Sequence, residues 1–424
     1  MADETPKAGG TGQVGEALKR QRAPARPAAE QARRLESGEA WTDLLARLAE
    51  TGRRVLEAPL PDHPELRAEG FRYLLGLLRS GIDQALQLSD PAQPRFVRNP
   101  DSSAKWGAEN ADNQYLWARI GPEHVYRIRG LRRNVFEFLI EVKEGYMQLG
   151  DDEVYATLAA GDLSFDPEGR FELLLSAQRP EGYEGDWMPI AEGGRYVTVR
   201  QYLLDWAREE PARFEISRVG GEGVAPEPLT SSRMAGVLDS TGEWVDLTQR
   251  VWDEWIVQLR EAHEPGTMAA PRGFVGGADA IHYGNDWFRL GPEEALILES
   301  ELPDARYWSV QLCNLWFTTM DYATRQTSLN PTQAHVDEDG RLRCVIAHRD
   351  PGVPNWLDTC GHPEGMIQVR WVWTKTCPRP TVRAVPFTEI RQHLPPGTPE
   401  VSPQERRRGI ATRQAHLPRR EPAG

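Results

Sequence analysis

Two runs of short strands separated by turns constrain the fold of this chain more than any other feature. The first run lies between residues 115 and 218 and the second between 282 and 374, and both are rich in β-branched and aromatic residues. Turn formers such as Asp166-Pro167-Glu168-Gly169 separate the segments. Closely spaced short strands of this kind are typical of antiparallel sandwiches and barrels. A chain of 424 residues is long enough for two such domains.

Helical periodicity appears before, between and after these runs. Apolar residues from Trp41 recur at helical spacing, and a second amphipathic helix is predicted to end near Pro91. Residues 230–263 predict a further helix, which glycines could divide in two. The stretch Ser402-Pro403-Gln404-Glu405 is a capping box with proline at the first helical position, so a C-terminal helix is predicted to begin there.

The predicted fold class is mainly β, with two tandem jelly-roll-like antiparallel β-sandwich domains and with flanking and linking α-helices. The segments were divided by composition and by periodicity. They are a disordered tail (1–38), a helical segment (39–100), a first sandwich (101–219), a helical linker (220–270), a second sandwich (271–387), and a C-terminal helix and tail (388–424).

The charge balance argues against a nucleic-acid partner. Fifty Lys and Arg residues stand against 63 Asp and Glu residues, which gives a net charge of −13. Basic residues do cluster near both ends, and we interpret these clusters as solvated tails. They are Arg22, Arg26, Arg33, Arg34, Arg406, Arg407, Arg408, Arg419 and Arg420.

Several features predict a cytoplasmic protein with reduced thiols. The first residues are acidic and polar and do not resemble a secretory leader, and no apolar stretch approaches the length of a membrane span. The four cysteines are widely spaced and form no CxxC pair. We therefore expect no cofactor and no membrane partner.

Common catalytic motifs are absent from the sequence, including the P-loop, GxSxG, HExxH and the dinucleotide fingerprint. Polar and aromatic residues are instead concentrated in the second strand-rich run, partly in the long loop 349–365. Such residues could hold a polar ligand by hydrogen bonds and stacking. The predicted ligand-binding residues are Asn314, Trp316, Asp321, Arg325, Asn330, Asn355, Trp356 and Arg370.

An acid–base pair is the predicted catalytic element. His348 could pair with Asp350 or Asp358, because a carboxylate can orient an imidazole. Equally, aspartate and asparagine could cap turns while tryptophan fills the core. His282, His348 and His362 together with Asp358 could ligate a metal, but their spacing matches no metal motif, so no metal is predicted. A weaker candidate site lies in the first run, at Asn110, Asp112, Asn113, Tyr115, Arg200, Tyr202, Asp205 and Trp206.

The segment 282–375 resembles the bacterial domain-of-unknown-function family 1214. The resemblance rests on a Tyr-Gly opening, the segment from Tyr307 to Trp316, Asp321-Tyr322, Asn355-Trp356-Leu357-Asp358 and Arg370. In many relatives the partner domain belongs to family 1254, whose full pattern does not occur here. The resemblance implies tandem jelly-roll sandwiches that often assemble as oligomers. It supplies no catalytic residues.

Three functions remain open at this point. The first is an enzyme of the hydrolase or lyase type that acts on a small organic substrate in a cleft between the sandwiches, where Arg325 or Arg370 would neutralise an anionic group. The second is a non-catalytic protein that binds a carbohydrate-like or lipid-derived ligand through Trp308, Trp316 and Trp356. The third is an assembly role. A small-molecule ligand and a homo-oligomer are the expected partners.

Overall fold

Four β-sheets and five α-helices make up the part of the chain that the computed structural model describes, namely residues 22, 24–273 and 280–421. No helix within these residues is both long and apolar enough to cross a membrane. The helices are α1 (Ala28–Glu36), α2 (Glu39–Glu57), α3 (Pro64–Gln87), α4 (Ser231–Ala262) and α5 (Pro403–Arg420).

The first nine strands form one pair of sheets. They are β1 (Val97–Arg98), β2 (Asn113–Arg119), β3 (Tyr126–Leu131), β4 (Glu137–Lys143), β5 (Val154–Ala159), β6 (Arg170–Ser176), β7 (Asp186–Pro189), β8 (Tyr196–Tyr202) and β9 (Arg213–Arg218). One sheet has the order β1-β2-β8-β4-β5 and the other has the order β7-β6-β3-β9. We call them the first sheet pair.

The remaining eight strands form the second sheet pair. They are β10 (Ile281–Arg289), β11 (Glu294–Glu301), β12 (Ala305–Cys313), β13 (Ser328–Leu329), β14 (Arg341–Ala347), β15 (Trp356–Asp358), β16 (Glu364–Thr374) and β17 (Thr381–Pro386). The sheet orders are β10-β16-β12-β13 and β15-β14-β11-β17.

The second sheet pair repeats the strand order of the first. Adding eight to each strand number converts β2-β8-β4-β5 into β10-β16-β12-β13 and β7-β6-β3-β9 into β15-β14-β11-β17. The one parallel pairing in each unit also corresponds, β6 with β7 and β14 with β15. The chain therefore contains the same β topology twice, with β1 added to the first copy.

Each sheet pair encloses its own apolar core, and a third cluster joins the two. Ile128 and Phe138 lie on opposite sheets of the first core, and Leu298 and Val310 do so in the second. The joining cluster includes Leu139, Tyr202 and Leu204 from the first unit and Ile281, Tyr307 and Val372 from the second. The sheet β1-β2-β8-β4-β5 therefore faces the sheet β10-β16-β12-β13.

The glycines of α3 permit close packing rather than weakening the helix. A Cβ on Gly70 would lie 2.6 Å from the indole of Trp316, and one on Gly81 would lie 2.8 Å from the indole of Trp244. Only a residue without a Cβ allows the helix axis to approach these rings so closely. Helix α4 is likewise continuous through its glycines.

Two predictions for the ends of the chain are wrong within the described residues. The segment assigned to a disordered tail contains α1, whose Arg34 is buried and contacts Asp239 at 2.8 Å. The C-terminal arginines are not all solvated either, because Arg420 is buried and Arg406 pairs with Asp350 at 2.9 Å. Helices α1 and α5 are thus held by ion pairs with distant parts of the chain. A local pattern of apolar residues does not show such pairs. Residues 1–21 lie outside the described part. The predicted capping box at Ser402 is confirmed.

Candidate functional site

A cavity of about 150 Å³ lies where the two sheet pairs face each other. Strands β2, β4 and β8 supply one wall, β10 and β16 supply the opposite wall, and α4 contributes Trp252 and Trp255. A pocket between packed units, with mostly apolar walls and a few convergent polar groups, is the usual form of a small-molecule site.

Equivalent positions of the two repeats meet in this cavity. Tyr115 on β2 pairs across the sheet with Arg200 on β8, and the Arg200 guanidinium lies 5.7 Å from the Tyr115 ring centre. Tyr283 on β10 pairs in the same way with Arg370 on β16, at 5.6 Å. Since β2 corresponds to β10 and β8 to β16, each copy of the topology contributes one tyrosine–arginine pair.

The cavity carries more positive than negative charge. Arg200, Arg370 and Lys143 line it, whereas Glu109 is the one carboxylate among its lining residues in the described part of the chain. Burial raises the pKa of Glu109 to about 7, so part of its population is uncharged at neutral pH. Burial also lowers the pKa of the Lys143 ammonium. These charges favour an anionic ligand.

The loop that holds Glu109 has an unusual backbone conformation. Gly107 and Ala108 have φ values of 64° and 47°, and Phe317, which also lines the cavity, has φ 51°. The Ala108 N–H donates to the Phe317 carbonyl at 2.7 Å, and Arg370 Nη2 donates to the Ala108 carbonyl. Positive φ at two residues other than glycine is uncommon, and such strain is concentrated at functional sites.

Several buried polar atoms around the cavity have no hydrogen-bond partner among the described residues. Their residues are each at least nine-tenths buried, and all of them line the cavity. The atoms include Arg370 Nη1, Asn113 Oδ1, Gln148 Nε2, Trp252 Nε1 and Tyr146 Oη. Buried polar groups are normally paired, so unpaired polar atoms among the residues that line one cavity suggest a polar ligand.

The predicted acid–base pair does not form. His348 Nδ1 is 2.6 Å from Thr359 Oγ1, and its Nε2 is 3.2 Å from the carbonyl of Leu290. Asp350 accepts from the Gly352 N–H and pairs with Arg406, while Asp358 pairs with Arg325 at 2.8 Å. Each carboxylate is thus engaged elsewhere. The expected pairing is wrong because the strand that ends at Ala347 directs the imidazole towards Thr359.

Three predicted ligand-binding residues border a second cavity, between α3 and the second sheet pair. They are Asn314, Asp321 and Arg325, and the cavity also contains His362 and Glu69. Asn314 Nδ2 donates to Glu69 Oε2 at 3.0 Å, and His362 Nε2 lies 2.8 Å from the same oxygen. Asp321 accepts from the N–H groups of Ala323 and Thr324 as a turn cap. The contacts of Asn314 and His362 with Glu69 fasten α3 to the second sheet pair.

The other predicted residues are placed in different environments. Asn330 is buried and donates to Asp112 at 2.7 Å, and Asn355 donates to the carbonyls of His335 and Arg343. The three tryptophans proposed to stack on sugars are buried and take part in core clusters, namely Trp308, Trp316 and Trp356. Of the eight predicted ligand-binding residues, Arg370 alone lines the cavity between the sheet pairs.

No group of three or more His, Cys, Asp or Glu residues suited to a metal ion occurs in the described residues. His348 and His362 in particular are each engaged with the protein partners given above. The geometry therefore gives no support for a metal held by His282, His348, His362 and Asp358.

Comparison with other proteins identifies the family. Residues 290–375 match the model described as "Protein of unknown function (DUF1214)". A crystal structure of an uncharacterized protein from Burkholderia cenocepacia is 31% identical, covers 84% of this chain and 99% of its own, and has a TM-score of 0.79. The chain belongs to the DUF1214 family. The predicted resemblance is confirmed.

The VPA0106 protein from Vibrio parahaemolyticus is a more distant match. It is 12% identical, covers 74% of this chain and 98% of its own, and has a TM-score of 0.44. That score is too low to establish a common fold. No curated protein matches the chain.

The first strand-rich run, given as the weaker candidate site, supplies several of the residues that line the cavity. Asn110, Asn113, Tyr115 and Arg200 from that run line the cavity between the sheet pairs, together with Glu109, which the sequence did not single out. The sequence did contain one signal, because five of the six residues from Glu109 to Gln114 are polar and an aromatic stretch follows them directly. Strand order, which brings this stretch against β16, is not visible in a single sequence.

Proposed function

We propose that the chain is an enzyme that acts on a small organic acid bound between the two sheet pairs. The observation that carries this proposal is the meeting of three cationic side chains, aromatic walls and one carboxyl group of raised pKa in a single cavity. Catalytic groups are often found where burial shifts a pKa towards neutrality.

The cationic side chains would hold the carboxylate of the substrate. Arg370 lines the cavity and is fixed by its bond to the Ala108 carbonyl, and its Nη1 has no hydrogen-bond partner among the described residues. Arginine binds carboxylates in a planar, bidentate manner. A cavity of about 150 Å³ is large enough for a benzene-sized body, and the rings of Trp106, Trp117 and Tyr146 would contact that body.

Glu109 would act as the general acid or base. A pKa of about 7 makes both protonation states available at neutral pH. In a lyase-type reaction the carboxylate would take a proton from the carbon beside the substrate carboxylate. The electrons of that C–H bond would form a double bond, while the leaving group departs with the electrons of its own bond.

The lining favours proton transfer over covalent hydrolysis. It includes no serine, threonine, cysteine or histidine in the described part of the chain, so the usual nucleophiles of hydrolases are missing from it. The same fact favours a second candidate function, a non-catalytic protein that binds organic acids. Turnover of a bound acid distinguishes the two.

A thermal-shift comparison of matched acids and amides tests the anion requirement. We expect benzoate and phthalate to raise the melting temperature by a few degrees, because a ligand that binds only the folded state stabilises it. Benzamide, which has the same ring but no charge, should have little effect. No shift with any acid, or equal shifts with acids and amides, would contradict the proposal.

Replacing Glu109 by glutamine should stabilise the protein above pH 7. Because the folded-state pKa is raised from 4.5 to about 7, the favourable contribution of the protonated form is complete below pH 4.5 and is lost as the pH rises through 7. The variant should therefore be more stable than the wild type by about 3 kcal/mol at pH 8 and nearly equal at pH 4.5. Denaturant unfolding at the two pH values measures this.

The exposed Glu184 supplies the control for that experiment. Glu184→Gln should leave the free energy of unfolding unchanged at both pH values. If Glu109→Gln behaves in the same way, the raised pKa is refuted. If Glu109→Gln retains turnover of a bound acid, Glu109 is not the acid–base group.

We also propose a fold type for the sheet pairs and a cellular location for the protein. We propose that the sheet pairs are tandem jelly-roll sandwiches, supported by their repeated strand order and separate cores. We further propose a cytoplasmic location, supported by the unpaired state of Cys313, Cys344, Cys360 and Cys377.

A further inference from the structure

Helices α2 and α3 each present a second apolar face, distinct from the face formed by their buried residues. Leu44 and Val55 of α2 and Leu66 and Leu77 of α3 are buried against the rest of the protein. Yet seven of the eleven large apolar side chains that are exposed in the described residues also lie on these two helices. They are Trp41, Leu45, Leu56, Phe71, Leu75, Ile82 and Leu86.

These side chains form two adjoining stripes. Trp41, Leu45 and Leu56 lie at i, i+4 and i+15 of α2, and the residues from Phe71 to Leu86 lie at i, i+4, i+11 and i+15 of α3. Each spacing keeps the side chains within about 60° of one line along the helix. Gly52 belongs to the α2 stripe, and a Cβ there would lie 3.9 Å from the Phe71 ring, so the stripes are in contact.

The exposed area matches one half of a protein–protein interface. Each of the seven side chains is between 40% and 67% exposed. With about 200 Å² for a large apolar side chain, they present on the order of 700 Å². The largest apolar patch of a typical monomer is about 300–600 Å², and a standard interface buries about 800 Å² on each partner. The stripes are therefore large enough for a stable dimer.

The charges around the stripes disfavour a lipid surface as the partner. Six arginines and eight acidic residues lie between residues 39 and 87, and the chain as a whole carries −13. Helices that bind anionic membranes carry an excess of basic residues on the polar face. The N-terminal residues 1–21 are also unsuited to pack on the two stripes, because Met1, Val14 and Leu18 are their only large apolar residues.

We propose that the α2–α3 face is the contact surface of a homodimer, in which the stripes of two copies pack against each other. The closed two-fold arrangement is the commonest one for soluble homo-oligomers and needs only one self-complementary patch. The mixed charges at the edges of the stripes suit a polar rim around an apolar centre. This surface is separate from the cavity between the sheet pairs, so the proposal stands independently of the proposed catalysis.

The test compares Leu75→Glu with Leu229→Glu in the full-length chain. Leu75 is 67% exposed on α3 and Leu229 is 68% exposed in the segment before α4, so the two substitutions are matched in residue type and exposure. Light scattering after size exclusion, from about 1 to 100 µM, should give twice the chain mass of 47.8 kDa for the wild type and for Leu229→Glu. Leu75→Glu should raise the dimer dissociation constant at least ~100-fold, because each copy then buries a carboxylate against apolar side chains.

Two further measurements make each outcome decisive. Because Leu75 is exposed in the single chain, its variant should keep the wild-type circular dichroism spectrum, and Trp41→Glu should give the same loss of dimer. A wild-type chain that stays monomeric at about 100 µM would overturn the proposal. This holds even if the monomer binds anionic lipid vesicles in a flotation assay. A dimer that withstands both Leu75→Glu and Trp41→Glu would overturn it too.

Discussion

Replacing Trp316 by alanine is expected to destabilise the protein by about 3–5 kcal/mol, a typical effect of truncating a buried tryptophan. The indole is 1% exposed, lies against Gly70, and stacks on Tyr73 with ring centres 6.4 Å apart. Its N–H donates to the Leu66 carbonyl at 2.7 Å. Alanine would leave a cavity between α3 and the second sheet pair, and denaturant unfolding would report the loss.

Two further variants separate packing from ligand binding at this residue. Trp316→Phe keeps a ring but loses the N–H donor, so it should cost about 1–3 kcal/mol. Val224→Ala, in an exposed loop, should change the stability by less than about 0.5 kcal/mol. If Trp316→Ala left the stability intact and abolished binding of an acid, the tryptophan would be a ligand contact, as the sequence first suggested.

Replacing Arg370 by methionine should weaken binding of the acid that gives the largest thermal shift by about 100-fold. A hydrogen bond to a charged group contributes about 1.5–3 kcal/mol, and each 1.4 kcal/mol is a tenfold change in the dissociation constant. Methionine keeps much of the volume but removes the charge and all three donor nitrogens of the guanidinium. Isothermal titration calorimetry on the folded variant measures the constant directly.

Two comparison variants, Arg370→Lys and Arg325→Met, complete this experiment. Arg370→Lys retains the charge without the planar fork, so its effect should be smaller, about tenfold. Arg325→Met removes an arginine whose side chain is about half exposed and paired with Asp358 outside the cavity, and it should leave binding unchanged. Equal losses from Arg325→Met and Arg370→Met would show that the effect is one of overall charge.

Local patterns were sufficient to predict several elements of the fold. Helices near Trp41 and from about residue 230, and the capping box at Ser402, depend on short-range spacing and hydrogen bonds that a sequence displays directly. The candidate site was harder, because its residues come from β2, β4, β8, β10 and β16. Arg370 was predicted as a cation that could neutralise an anionic group, whereas Glu109 was missed because a glutamate in a polar loop looks like an ordinary surface residue.

By itself the sequence determined the family, the two strand-rich runs and the helices around them, because these follow from local periodicity and from residues that stand close together in the chain. The tertiary structure alone decided which polar residues meet. It placed the two tyrosine–arginine pairs in one cavity, separated His348 from Asp350 and Asp358, and buried Trp316 against Gly70. The physical reason is that strand order and helix docking bring together residues up to several hundred positions apart, and burial then fixes both their contacts and the pKa of Glu109.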